Sequence, residues 1–203
     1  MRDRDIRAAL LGRLRVQHDD AETRIIEELG LCQGEARVDV AVVNGLLAGY
    51  EIKSESDTLD RLPGQLAIYS RALDQVTVVA SPTHLARITK MVPIWWGILE
   101  ALTTEDAIDL QWVRTPAPNP EPDPLAVAQL LWRDEALEAL RRLDLTRGVL
   151  SKPRRFLWER LVDAVPASQL GAIVRTQLKA REGWRSEQPR LSCGGRSRPG
   201  ATS

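Results

Sequence analysis

Cysteine is nearly missing from this 203-residue chain, which has only Cys32 and Cys193. Two cysteines so far apart build no disulfide framework, and His18 and His84 add no zinc-ligand spacing to them. Long apolar runs are missing too: none approaches the roughly 18–20 residues of a membrane span. The opening Met1-Arg2-Asp3-Arg4-Asp5 is too charged for a secretory signal, and no apolar segment follows it. These absences predict a cytoplasmic protein with no membrane partner. An excess of charge of either sign is also lacking, with 28 basic and 28 acidic residues. That balance at first argues against a nucleic-acid partner.

The distribution of charge argues the other way. Residues 1–124 carry 13 basic and 20 acidic side chains, whereas residues 146–203 carry 12 and 4. An acidic front and a basic back suit a metal-binding site followed by a phosphate-facing segment, although two solvated faces of opposite sign would look the same. Hydrophobic residues make up 43% of the chain, enough for a globular core.

Periodicity predicts a helix over residues 3–16, with Ile6, Leu10, Leu11 and Leu14 on one face. Strands follow at 23–29, 36–44 and 47–53, then a helix at 57–72 and a β-branched strand at 75–80. The order α-β-β-β-α-β predicts an α/β fold with a mixed sheet covered on both faces. Residues 92–99, with Trp95 and Trp96, read as a loop and edge strand closing the core. The tandem tryptophans are expected to pack there rather than stack on bases. Residues 115–124 alternate proline five times and predict an extended spacer. Helical periods return over 125–143, 153–165 and 167–184, a small helical unit reaching about residue 185. Residues 186–203, rich in Ser, Gly and Arg, predict a disordered tail. The expected division is a core at 1–114, a linker at 115–124, the helical unit at 125–185 and the tail.

Three charges in apolar strands stand out. Asp39 lies in Ala36-Arg37-Val38-Asp39-Val40-Ala41, and Glu51 and Lys53 lie two apart in Gly49-Tyr50-Glu51-Ile52-Lys53-Ser54. Charges in such strands are costly unless paired or bound to metal. Residues two apart share a strand face. Gln65 and Tyr69 share a face of the next helix, with Arg61 one turn earlier. Carboxylates that hold a divalent metal, with a cation beside the attacking water, are what phosphodiester hydrolysis needs. A buried pair that only satisfies itself is the simpler alternative.

Asp39 … Glu51-x-Lys53 in this order of elements resembles the PD-(D/E)xK nuclease superfamily, with its restriction-endonuclease-like fold. Gln65-x-x-x-Tyr69 is similar to the helix motif of its recombination-repair exonucleases. With Glu28-Leu29-Gly30-Leu31, Asp57-Thr58-Leu59, Arg61-Leu62-Pro63 and Pro93-Ile94-Trp95-Trp96-Gly97, the motifs over residues 1–185 resemble one group of small bacterial proteins of that superfamily. The resemblance implies a magnesium-dependent nuclease, with manganese able to substitute, acting on DNA in repair or defence. Asp39 and Glu51 would ligate the metal, Lys53 would orient water and Gln65 would assist. Glu28 is the candidate third ligand, with Glu22 and Glu27 as alternatives. Arg61, Tyr69, Arg147, Lys152, Arg154 and Arg155 would contact nucleic acid. The competing expectation is a catalytically silent nucleic-acid- or partner-binding module on the same fold. A homodimer and an unidentified protein partner are both compatible.

A shared ion sets a geometric condition. A two-residue Asn44-Gly45 turn would pair Val43 with Leu46 and send Asp39 and Glu51 to opposite faces. A three-residue Asn44-Gly45-Leu46 loop, with Gly45 or a neighbour at positive φ, would set Asp39 across from Glu51.

Overall fold

A computed structural model describes residues 1–105 and 107–181. The expected tail, Cys193 and the end of the last helix at Trp184 lie outside those residues.

The amphipathic N-terminal stretch forms α1 (Asp3–Gln17). Its Ile6, Leu10, Leu11 and Leu14 pack against Val40, Val42, Ile52, Val79 and Leu99 on one face of the sheet. Burial of each such side chain contributes about 1.5–3 kcal/mol. Next come β1 (Arg24–Leu31), β2 (Ala36–Val43) and β3 (Leu47–Lys53), then α2 (Leu62–Ala72), β4 (Gln75–Ala80), α3 (Pro82–Met91), β5 (Gly97–Thr103) and β6 (Ile108–Arg114). The strands lie side by side in sequence order. The pairs β1–β2, β2–β3 and β5–β6 are antiparallel, and β3–β4 and β4–β5 are parallel. The molecule is thus an α/β structure with a mixed six-stranded sheet.

Three local expectations change. α2 begins at Leu62 rather than residue 57, because Asp57 folds back to accept from the Ser54 N–H and hydroxyl at 2.8 and 2.6 Å. α3 was not anticipated. β5 is interior rather than an edge, since β6 covers its outer side. Trp96 is fully buried and stacks on Tyr69 with ring centroids 6.1 Å apart, so packing is its role.

The β2–β3 connection has three residues: Val43 lies opposite Leu47, leaving Asn44-Gly45-Leu46 between them. The predicted positive φ is absent from all three. Instead the Asn44 side chain accepts from the Leu46 N–H at 3.1 Å, and the Asn44 N–H donates to the Leu46 carbonyl at 3.1 Å. The side chain closes the loop in place of a left-handed residue.

The proline-rich stretch lies against the domain. The Ala117 N–H donates to the Trp95 carbonyl at 2.8 Å and the Asn119 N–H to the Asp74 carbonyl at 2.8 Å. The Asn119 amide also donates to the Ser70 and Leu73 carbonyls at the end of α2. The stretch leads into α4 (Pro124–Ala128), α5 (Arg133–Arg142), α6 (Arg154–Ala164) and α7 (Ala167–Ala180). The apolar period expected for one helix over 125–143 is thus split into α4 and α5. α4 packs on α2, α6 and α7, and α7 also meets β2. Leu130, Leu137, Leu157, Leu170 and Leu178 join Val38, Leu62 and Val78 in one core on the sheet face opposite α1. Among the described residues, no helix is long and apolar enough to cross a membrane.

Candidate functional site

Glu51 and Lys53 point from β3 toward α2 and are almost fully buried, at 3% and 4% exposure. Lys53 Nζ donates to Glu51 Oε1 at 2.8 Å and to Gln65 Oε1 at 3.1 Å. The Gln65 amide donates to the same Glu51 oxygen at 2.6 Å. The Tyr69 hydroxyl is 2.6 Å from Glu51 Oε2 and 2.7 Å from the Arg37 carbonyl. The strand period and the helix period therefore bring Glu51, Lys53, Gln65 and Tyr69 together, as their spacing predicts. Burial raises the Glu51 carboxyl above its ordinary value, the charge of Asp39 adds to this, and Lys53 opposes it. Burial also raises the Tyr69 phenol, with Glu51 reinforcing it. The phenol has one proton for two acceptors, Glu51 Oε2 and the Arg37 carbonyl.

Asp39 departs from the register. The β2–β3 ladder ends at Val40 opposite Tyr50, and the side-chain alternation of β2 breaks at Asp39, with Val38 in the core beneath α2 and Val40 in the core beneath α1. The ladder stops there because the Asp39 side chain replaces the backbone acceptor, with Oδ2 taking the Ile52 N–H at 2.7 Å. The other oxygen takes Arg7 Nη2 of α1 at 2.7 Å, and Arg7 Nη1 donates to the Asp39 carbonyl at 3.0 Å. Burial raises the Asp39 carboxyl, while the Ile52 N–H and Arg7 pull it down. For Arg7 burial opposes the charge, but Asp39 outweighs it and the guanidinium is held above its ordinary value. The sequence alone does not single out Arg7. Its one signal is Asp3 four residues earlier, which accepts from Arg7 Nε at 3.3 Å.

A shared metal ion does not fit these donors. The partners of Asp39 come from α1 and those of Glu51 from α2, on opposite faces of the sheet. Each carboxylate is already filled by N–H or O–H donors. The third expected ligand, Glu28, sits half-exposed at φ 59° and pairs with Arg7 Nη1 at 3.3 Å and Arg37 Nη1 at 3.5 Å. Glu27 Oε2 is 4.0 Å from Arg7, and Glu22 pairs with Lys179. Among the described residues, no three His, Cys, Asp or Glu side chains are grouped to hold a metal.

The expected nucleic-acid contacts divide. Tyr69 has no exposed surface, so it cannot meet a polynucleotide, and that expectation is corrected. Arg61 is exposed at the start of α2, away from any ion pair among the described residues. Arg147, Lys152, Arg154 and Arg155 are all exposed on the loop before α6 and on its first turn. Arg154 reaches Gln33 at 3.0 Å and Arg155 pairs with Glu159 at 2.8 Å.

Comparison with known proteins bears on what this arrangement does. The family described as Bacteriophage P4 protein cII matches residues 1–189. Protein cII of Enterobacteria phage P4 is 31% identical over 108 residues, which cover 53% of this chain and 41% of that protein. The chain thus matches less than half the length of that relative. Among solved structures, Pyrococcus furiosus SfsA in complex with Ca2+ is similar at 16% identity, over 55% of this chain and 59% of that one. Its TM-score of 0.29 is too low to carry an argument. The family match overturns the resemblance to PD-(D/E)xK nucleases and to their small bacterial group, and with it the expected phosphodiester hydrolysis and magnesium-dependent enzyme activity. The Asp39, Glu51 and Lys53 pattern misled because a self-satisfied buried network and a metal site use the same residue types. From residue 1 to residue 189, the chain belongs to the bacteriophage P4 protein cII family.

Proposed function

We propose that this protein acts by binding nucleic acid without cutting it, as a regulatory protein does, and that the surface around the start of α6 makes the contact. One observation carries the reading. Arg147, Lys152, Arg154, Arg155 and Arg160 lie exposed within fourteen residues, and the first turn of α6 holds no acid. The helix N-terminus is already the positive end of its dipole, so cations there cost stability unless an anion sits against them. Arg147, Lys152 and Arg160 have no ion-pair partner among the described residues. A polyphosphate backbone supplies the missing charge and asks for no base-specific geometry.

The closed network around Glu51 and Asp39 supports binding over chemistry, because its donors and acceptors are used within the protein. The order α1-β1-β2-β3-α2-β4 supports a restriction-endonuclease-like arrangement of the core, kept as a scaffold. A cytoplasmic location and DNA as the partner are part of the same proposal.

The test is fluorescence anisotropy of the full chain with labelled DNA and RNA across a salt series. Wild-type protein should bind, and Arg154→Ala with Arg155→Ala should weaken binding and flatten the log–log salt slope by about one for each phosphate that is no longer neutralised. An unchanged slope in that variant would show the charge to be a solvated face.

A further inference from the structure

Cations alone would accept any polyanion, but the ring surface beside them narrows the choice. Phe156, in the first turn of α6, is 40% exposed, Trp132 just before α5 is 53% exposed and Leu150 is 58% exposed. Two contacts bring the segments that carry them near each other. Arg133 Nη2, at the start of α5, donates to the Leu150 carbonyl at 2.6 Å. The Trp158 indole N–H, on α6, donates to the Leu131 carbonyl at 3.1 Å, next to Trp132. The start of α5 is thereby tied to the basic loop before α6 and to α6 itself.

Each ring already carries a cation. Lys152 Nζ lies 5.4 Å from the Phe156 centroid, and the Arg181 guanidinium, buried and paired with Glu135, lies 4.0 Å from the Trp132 centroid. Cation contact fixes a ring and leaves its remaining surface in water, and Arg154 and Arg155 stand exposed beside Phe156 on the first turn of α6. Exposed aromatic rings set among cations match an unpaired polynucleotide, whose phosphates meet the cations while its base faces stack on the rings. A duplex hides its base faces in its own stack, so it would use the cations and leave the rings idle.

Building on the nucleic-acid reading above, we infer that this surface prefers a single-stranded polynucleotide, with Phe156 and Trp132 as stacking platforms and Lys152, Arg154 and Arg155 holding the phosphates. Trp132 and Phe156 then determine the strandedness preference, and the arginines supply the affinity common to every nucleic acid.

The experiment compares labelled oligo-dT, oligo-rU and a duplex of equal length by anisotropy with the full chain. Phe156→Leu and Trp132→Leu keep apolar volume and remove the ring. Each should weaken single-strand binding by roughly 5- to 100-fold and leave duplex binding near the wild-type value. Phe156→Tyr keeps the ring and should retain single-strand affinity, which separates stacking from folding. Tighter binding of either single strand than of duplex, abolished in the leucine variants, supports the inference. Equal binding of duplex and single strand, or leucine variants that bind oligo-dT and oligo-rU like wild type, would overturn it while leaving the nucleic-acid reading standing. Polyglutamate binding as tight as oligo-dT would overturn it in favour of an acidic protein segment. No binding to any nucleic acid would overturn both.

Discussion

Arg7 of α1 and Asp39 of β2 are locked together twice, through the side chain at 2.7 Å and through the Asp39 carbonyl at 3.0 Å. The contact ties the first helix to the strand at the point where the β2–β3 ladder ends. It also occupies the carboxylate that a metal would need.

Replacing Arg7 by Met should therefore destabilise the fold by about 3 kcal/mol, because Asp39 is left as a partly buried charge with only the Ile52 N–H. Adding Asp39→Asn should recover part of the loss, since a neutral amide needs no counter-ion. Urea unfolding of wild type and the two variants measures it. Equal stability of wild type and Arg7→Met would show that the pair is idle.

Glu51 and Lys53 should behave as a unit. Glu51→Gln leaves Lys53 buried without its charge partner, and Lys53→Met leaves Glu51 in the same position. Each single change should cost about 3 kcal/mol, and the double change should cost clearly less than the sum. A strictly additive double-mutant cycle in urea would remove the case for a closed network.

The first six elements were readable from period and composition, because each is a short amphipathic or β-branched run with turn residues at its ends. The convergence of Glu51, Lys53, Gln65 and Tyr69 was readable too, since it follows from i,i+2 and i,i+4 spacing on adjacent elements. What the side chains are used for was not readable. That depended on Arg7, which reaches Asp39 across thirty-two positions of sequence. α3 was hidden because its buried anchor is the single Ile88, which sets no helical period. The Asn44-Gly45 signal pointed to the wrong turn length because the Asn44 side chain could close a longer loop without positive φ.

Stability should fall as the pH rises above the ordinary carboxylate range. Asp39 and Glu51 both have raised values in the fold, so the folded chain holds more protons than the unfolded one across that window. Their contribution is fully present below the unfolded value and is lost as pH climbs through the folded one. Glu51→Gln combined with Lys53→Met should show a shallower decline. A stability that instead rises over that window would contradict the assigned directions.

Magnesium should leave the protein indifferent. An ion bound at a hundred times its dissociation constant stabilises by about 2.7 kcal/mol, which a thermal melt detects readily. With both carboxylates filled from within, millimolar Mg2+ or Mn2+ should not raise the melting temperature of wild type beyond the effect of matched ionic strength. A rise of several degrees that disappears in Asp39→Asn would mean that the metal displaces Arg7, and the closed-network account would be wrong.

Gly97 opens β5 directly beneath the proline strap. A Cβ built there would lie 2.7 Å from Thr77 Oγ1, 2.9 Å from Pro116 Cδ and 3.0 Å from the Pro116 nitrogen. Two of those atoms belong to the strap's ring and backbone, which cannot rotate away as the end of a long side chain could. Gly97→Ala must then push residues 115–117 outward, and the Ala117 N–H bond to the Trp95 carbonyl is the first to stretch. The expected cost is about 1–3 kcal/mol, as for other overpacked sites. Hydrogen exchange should show faster loss of protection at Ala117 and Asn119 than in the β2–β3 ladder. If Gly97→Ala unfolds like wild type and Ala117 stays protected, the strap has room to spare.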